Sequence, residues 1–198
     1  DLVMPELPGC PLAVADSALR QAAITFCEQS LAWQSAHPDI SITSGVAEYS
    51  LAPPEGTVVH TITCATLNGE EIEPVGPLSI PVTHWRSQAG KVRYMLSGPT
   101  SVTLMPDPYA AGTLTMIAVL KPSAVSTGID NNLFNEYREA IVHGALARLM
   151  LSPRKPYTNP QLAAYHHQQF AIKTATAGMR AARNNARTPL QTAILRRG

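Results

Sequence analysis

The sequence predicts an α+β fold: a helical bundle with an inserted antiparallel β-sandwich or barrel-like domain, plus an extended C-terminal helix and tail. Three observations predict it. Apolar residues recur at helical spacing near the N-terminus, strand-like segments fill the middle, and helical spacing returns at Asn131.

The first helix is expected over Ala13 to Trp33. Leu19, Ala22, Ala23, Phe26, Cys27, Ser30 and Leu31 follow the i, i+3, i+4, i+7 pattern. Pro11 suits a first helical turn, and Asp16 or Ser17 suits a cap for a later start. His37–Pro38 ends the segment, because the residue before a proline avoids helical angles.

From Ile40 to Lys121 the pattern is strand-like. Ile40, Ile42, Val46 and Tyr49 sit in short segments broken by Gly45 and Pro53–Pro54. Val58 to Leu67, rich in Thr, Val and Ile, runs into Asn68–Gly69, a two-residue hairpin signal in which both residues accept positive φ. Glu70 to Val75 is the returning strand. Val92 to Leu96, Val102 to Leu104 and Thr113 to Leu120 follow, separated by Gly98–Pro99, Pro106–Asp107–Pro108 and Ala111–Gly112. In the last strand Thr113, Thr115 and Ile117 alternate with Leu114, Met116 and Ala118, so one face is expected to be covered.

Helix resumes at Asn131 or Asn132, either of which can cap. Leu133, Phe134, Tyr137, Ile141, Ala145, Leu146 and Leu149 form an apolar stripe that ends near Leu151, before Pro153. Asn159 and Pro160 then start a long helix expected to reach Arg187, where Thr188–Pro189 stops it. Its first half places Leu162, Tyr165, Gln169 and Phe170 in one sector. Its second half places Lys173, Arg180, Arg183 and Arg187 in an overlapping one. An inward face that turns basic is expected to leave its own core for a partner; the other reading is a solvated, Ala-rich end. The tail adds Leu190, Ile194 and Leu195, then Arg196 and Arg197. Burying the three apolar side chains is worth roughly 4–8 kcal/mol before ordering costs. The expected organisation is therefore 1–37 helical, 38–122 inserted β domain, 123–187 helical, and 188–198 extended tail.

Composition bears on function. Only 15% of the 198 residues are charged, below the usual quarter. Such a surface costs little to desolvate against a partner, which suits an oligomer or assembly part. The charge is divided along the chain. Residues 140–198 hold nine basic and no acidic side chains; residues 1–139 hold six basic and fourteen acidic. Either the two ends meet different partners, one of them acidic, or the two regions pack together within a monomer. The basic stretch also supports a runner-up function, a small nucleic-acid-binding protein tracking phosphates through Arg180, Arg183 and Arg187.

Chemistry is sparse. Cys10, Cys27 and Cys64 form no metal motif, and Cys27 falls on the apolar face of the first helix; a reducing compartment during folding is expected. His166 and His167 point about 100° apart on a helix, so they do not share a metal well. Tyr165 and His166 are read as bordering the helical core or a subunit contact. His60, His84 and His143 have no suggestively spaced acid. Glu70, Glu71 and Glu73 cluster at a hairpin, where a solvated face is the simpler reading than acid–base work or a hydrolase site. Neither a Walker loop nor a dinucleotide loop is present. No enzyme, cofactor or metal is expected. No stretch of about 18 apolar residues points to a membrane span, and the first residues lack the pattern of a secretory leader.

Several segments together resemble a known family. They are Pro5-Glu6-Leu7-Pro8-Gly9-Cys10-Pro11, Ala22-Ala23-Ile24-Thr25-Phe26-Cys27, Asn131 to Tyr137, Gly144-Ala145-Leu146-Ala147-Arg148-Leu149, and Lys155-Pro156-Tyr157-Thr158-Asn159-Pro160 running on to His166. In order and spacing they are similar to the head-to-tail adaptor (connector) proteins of tailed bacteriophages, of the tail tubular protein A type found in short-tailed phages. The motifs are packing and capping patterns without catalytic residues.

The resemblance implies a structural virion protein at the head–tail junction, assembled in the host cytoplasm. It implies a homo-oligomeric ring, usually of twelve copies, joining the portal protein to the tail nozzle or tail tube, with DNA passing through the channel. On this reading Leu190, Ile194, Leu195, Arg196 and Arg197 are the portal-binding candidates. Lys173, Arg180, Arg183 and Arg187 are candidates for contact with the channel DNA or an acidic partner.

Overall fold

A computed structural model describes residues 2–76 and 89–183. The chain begins with a short 3-10 turn, Met4–Glu6, flanked by Val3, Leu7 and Cys10, all buried against the helices. Helix α1 (Leu12–Ser30) starts after Pro11 without a side-chain cap, so neither Asp16 nor Ser17 starts it. It stops short of Trp33. Leu31 takes the left-handed conformation (φ 53°), and its amide bonds the Cys27 carbonyl at 3.0 Å.

The freed backbone becomes β1 (Gln34–Ala36), which pairs with a strand more than eighty residues later, β10 (Gly112–Pro122). That pairing is invisible in the local pattern of Gln34-Ser35-Ala36. Strands β2 (Ile40–Ile42) and β3 (Glu48–Ser50) follow, then the long β4 (Thr57–Leu67) and β5 (Glu70–Val75). These last two meet at the expected hairpin, where Asn68 and Gly69 have φ of 54° and 82°. Beyond it lie β6 (Ala89–Gly90), β7 (Tyr94–Ser97), β8 (Ser101–Met105) and β9 (Asp107–Pro108).

Of the sandwich or barrel-like alternatives, the described strands are closer to the barrel-like one. One hydrogen-bonded path runs β1-β10-β4-β5-β7-β8-β3, with β2 also on β10, and curls into a half-barrel; β6 and β9 form a separate pair. The expectation of an antiparallel domain also needs correction. β5 and β7 pair in parallel, Glu73 opposite Tyr94, as the long connection between them permits and a tight hairpin does not. Register shifts in β10 at Ile117/Ala118 and Val119/Leu120 bend the strand. Before the bend burial alternates as expected, with Leu114 and Met116 in and Thr115 and Ile117 out; past it Ala118, Val119 and Leu120 are all buried.

Helix α2 (Asn131–Met150) is capped by Asp130, not by Asn131 or Asn132. The carboxylate accepts from the Asn132 amide at 2.8 Å and the Leu133 amide at 3.3 Å. Helix α3 (Pro160–Ala182) starts as predicted: Asn159 accepts from the Leu162 amide at 3.1 Å, with Pro160 in the first turn. Its expected continuation to Arg187 lies outside the described residues.

Two apolar clusters result. One joins the N-terminal segment, α1, α2 and α3; the other fills the curl of the sheet; Trp33 touches both. Where the three helices meet, Gly144 of α2 faces the Phe170 ring of α3 and Ala22 of α1. The strand region thus lies in sequence between helices that pack together. It is tied to them by α1 against β10 and by Lys121, which donates to Glu28 at 2.5 Å.

Candidate functional site

The side chains with distinctive chemistry gather on α2 and α3. The inward face of α3 is Ala163, His166, Phe170, Thr174 and Ala177, not the sector of Leu162, Tyr165 and Gln169 that the sequence suggests. The basic sector therefore does not replace the packing face. It lies along the edge beside α2. Lys173 donates to Glu139 at 2.7 Å, and Arg180 donates to the Glu136 carboxylate. Both acids belong to the acidic first 139 residues, so the two charge regions do pack together at this seam. Lys173 holds the exposed Glu139 carboxyl below its ordinary value, first by that hydrogen bond and then by its charge. Tyr137 and then Glu136 hold the Arg180 guanidinium above its own. Arg183 follows the helix end and is exposed. Arg187, Leu190, Ile194, Leu195, Arg196 and Arg197 lie outside the described residues, as does His84.

One arrangement escaped the sequence reading. His143 on α2 and His166 on α3 face each other with Nδ1 atoms 2.8 Å apart. His166 is 4% exposed. Its Nε2 sits 3.3 Å from Glu6 Oε2 of the N-terminal segment. That contact is too poorly aligned to be a hydrogen bond, and Nε2 has no hydrogen-bond partner among the described residues. Burial first, then the charges of His166 and Lys173, push the His143 imidazole below its ordinary value; Glu139 and Glu6 oppose them more weakly. Nothing in spacing along the chain could have found this pair, because only the register of α2 against α3 creates it.

The outer face of α3 is the second unforeseen feature. Leu162, Tyr165, Ile172 and Met179 are exposed, the last three by 50%, 52% and 57%. They share one stripe at spacings of three and seven. From Gln161 to Ala182 this stripe and the flank beyond it, Ala164, Gln168, Ala171 and Ala175, carry no charge. On α1 and α2, Leu19, Ala23, Phe134 and Ile141 line a groove of about 360 Å³, with Asp16 and Arg20 among its other walls.

The remaining candidates carry little chemistry. Glu70 forms a solvent-exposed ion pair with Lys91 at 2.8 Å, and Glu71 and Glu73 are exposed beside it. Cys10 and Cys27 are buried and Cys64 exposed, all free thiols. Burial pushes the Cys27 thiol up to about 12, which makes it a packing group and not a nucleophile. No cluster of three metal-ligating side chains occurs among the described residues, and no helix among them is long and apolar enough to cross a membrane.

Against known proteins, the chain matches a family model described as SU10 adaptor protein over residues 3–193. No curated protein matches the chain.

Proposed function

The chain belongs to the SU10 adaptor protein family and is a phage structural adaptor joining head and tail; from that premise we propose that it works as a ring subunit between the portal and the tail tube or nozzle. The observation that carries the reading is the family match across both helical ends and the strand region between them. Twelve copies around a channel that passes DNA is the arrangement we assign, with a structural and not a catalytic role. In support, α3 presents an uncharged apolar face to solvent, a surface that protein partners cover.

Attachment to the portal is assigned to residues 188–198. Leu190, Ile194 and Leu195 are apolar anchors there, and Arg196 and Arg197 meet acidic surface. Lys173 and Arg180 are less suited to an outside partner, since Glu139 and Glu136 already engage them. Arg183 and Arg187 remain the helix-borne candidates for channel DNA or an acidic surface. The same ion pairs weaken the alternative of a free nucleic-acid-binding protein, because they remove two cations from the basic edge.

Electron microscopy of the protein mixed with the portal protein of its own phage tests the reading. Rings seated on the portal are the expected result; a portal left bare at micromolar protein overturns it. Deleting residues 188–198 is expected to leave the circular dichroism melt unchanged and to lower portal docking at least tenfold. Unchanged docking would remove the tail assignment alone.

A further inference from the structure

We infer that residues 3–10 form a proton-sensitive strap, held on α2 and α3 by the His143–His166–Glu6 cluster and released as the two imidazoles take up protons. The inference concerns the folded chain by itself and stands apart from the adaptor reading.

Side chains seat the strap. Val3, Leu7 and Cys10 are buried in the helical cluster, and a Cβ on Gly9 would meet Pro156 of the α2–α3 turn at 3.5 Å. The strap's backbone amides bond within the segment: Glu6 to Val3, Leu7 to Met4 and Cys10 to Leu7. Among the described residues, no backbone hydrogen bond ties it to α2 or α3. A segment bound in this way opens at less cost than the helices beneath it.

The cluster has one arrangement that suits the neutral rings. The Nδ1 atoms of His143 and His166 are 2.8 Å apart, so one ring donates and the other accepts. Glu6 Oε2 stands 3.3 Å from His166 Nε2. A bare lone pair on Nε2 would face that carboxylate. Nε2 therefore carries the His166 proton, and His143 Nδ1–H donates to the bare His166 Nδ1. His143 Nε2 is left to take an incoming proton. One added proton keeps the ring-to-ring bond and places a cation near Glu6. A second has only His166 Nδ1 to occupy. It removes the acceptor and sets two imidazolium rings against each other, one of them on a residue only 4% exposed.

The remaining neighbours do not offset that clash. Lys173 of α3 adds a like charge, Glu139 of α2 an opposing one, and the Tyr165 phenol meets both rings edge-on. Lifting the strap lets water solvate His166 and lets the rings part. The open form thus binds more protons than the closed one. Linkage then raises the open population as pH falls, by up to about tenfold per pH unit for each extra proton. The lowered proton affinity of His143 in the closed form, owed first to burial and then to His166 and Lys173, has the same sign.

Two native thiols supply the test. Cys10 reports the strap, and Cys27, buried in α1, reports the fold beneath it. In a Cys64→Ser background, labelling of each thiol by N-ethylmaleimide is followed by mass spectrometry. Protection is the labelling rate of the denatured chain divided by that of the native one at the same pH, which cancels the thiol's own titration. From pH 7.5 to 5.5 Cys10 is expected to lose protection about tenfold, and Cys27 far less. His143→Gln, at a half-buried position, is expected to flatten the Cys10 profile. Glu6→Gln is expected to move it to higher pH, because the cation on the ring pair then lacks its carboxylate. Equal losses at Cys10 and Cys27 overturn the strap, since the whole fold is then opening. Cys10 protection that ignores pH overturns it too, as does a His143→Gln or Glu6→Gln profile that matches the unsubstituted one.

Discussion

His143 is the residue whose environment most exceeds what its neighbours in sequence announce. Glu139 on its own helix, Lys173 and His166 on α3, and Glu6 on the N-terminal segment all face it. Because burial, first, and then the His166 and Lys173 side chains lower its proton affinity in the folded state, the unfolded chain binds the proton more readily. Stability from this group is therefore complete above the ordinary value of 6.5 and is lost as pH falls through the depressed folded value. Denaturant midpoints are expected to fall from pH 7.5 to 5.5, and His143→Gln is expected to flatten that slope. Glu139, whose carboxyl is also lowered, acts in a separate window below its ordinary 4.5. A His143→Gln slope equal to that of the unsubstituted protein would remove the histidine from the account. At this scale the sequence was legible wherever a residue acts on its own backbone. Asn68–Gly69 turns as its positive φ requires, and Asn159 caps as its side chain allows. Asp130 caps where Asn131 or Asn132 is expected, because Asp and Asn side chains accept from backbone amides equally well and only the entry angle of the chain chooses between them.

Elements were legible when their periodicity was local and illegible when a distant partner defined them. α1, α2 and α3 follow from apolar spacing, and β4, β5 and β10 from alternation, but β1 exists only because β10 offers it a free edge. The parallel pairing of β5 with β7 is likewise a property of how the sheet curls, not of either segment. The inward face of α3 was misread for a related reason. Of its five residues only Phe170 is large and apolar, and the small ones, Ala163 and Ala177, give a weak hydrophobic signal while permitting close packing. Gly144 shows the consequence. A Cβ there would stand 2.8 Å from the Phe170 ring and 3.0 Å from the Ala22 Cβ. Gly to Ala in a helix interior gains up to about 1 kcal/mol of propensity, whereas overpacking costs about 1–3 kcal/mol. Phe170 is 7% exposed and Ala22 is fixed to the α1 backbone, so neither can yield easily and overpacking wins. Gly144→Ala is expected to destabilise by about 1–2 kcal/mol in urea titration, and adding Phe170→Leu to restore part of it. A stabilised single variant would mean that the three helices meet less tightly than this geometry has them.

For the molecule as a whole, the division of charge proved to be partly an internal affair. Lys173–Glu139 and Arg180–Glu136 join the basic and acidic regions within one chain, yet solvent screening leaves exposed pairs of this kind contributing little to stability. They orient α3 against α2 more than they stabilise it. Among the described residues, α3 leaves an apolar ridge open to solvent. The ridge from Leu162 to Met179 runs about 26 Å and, at the width of a helix, offers roughly 300 Å². A stable pairwise interface needs about 800 Å² from each partner. One such ridge is therefore too weak to hold two free copies together at ordinary concentrations. A closed ring seated on another ring differs, because each subunit then holds two neighbours and a template at once, and the second and third contacts form at high effective concentration. The isolated protein is accordingly expected to sediment as a monomer of 21.2 kDa at micromolar concentration and to form rings only when the portal is added. Raising the salt to 1 M should leave the monomer intact, since its two helix clasps are minor contributors, and should weaken the template contact proposed for the basic tail. A ring that persists by itself through analytical ultracentrifugation would require a subunit contact far larger than the apolar ridge on α3.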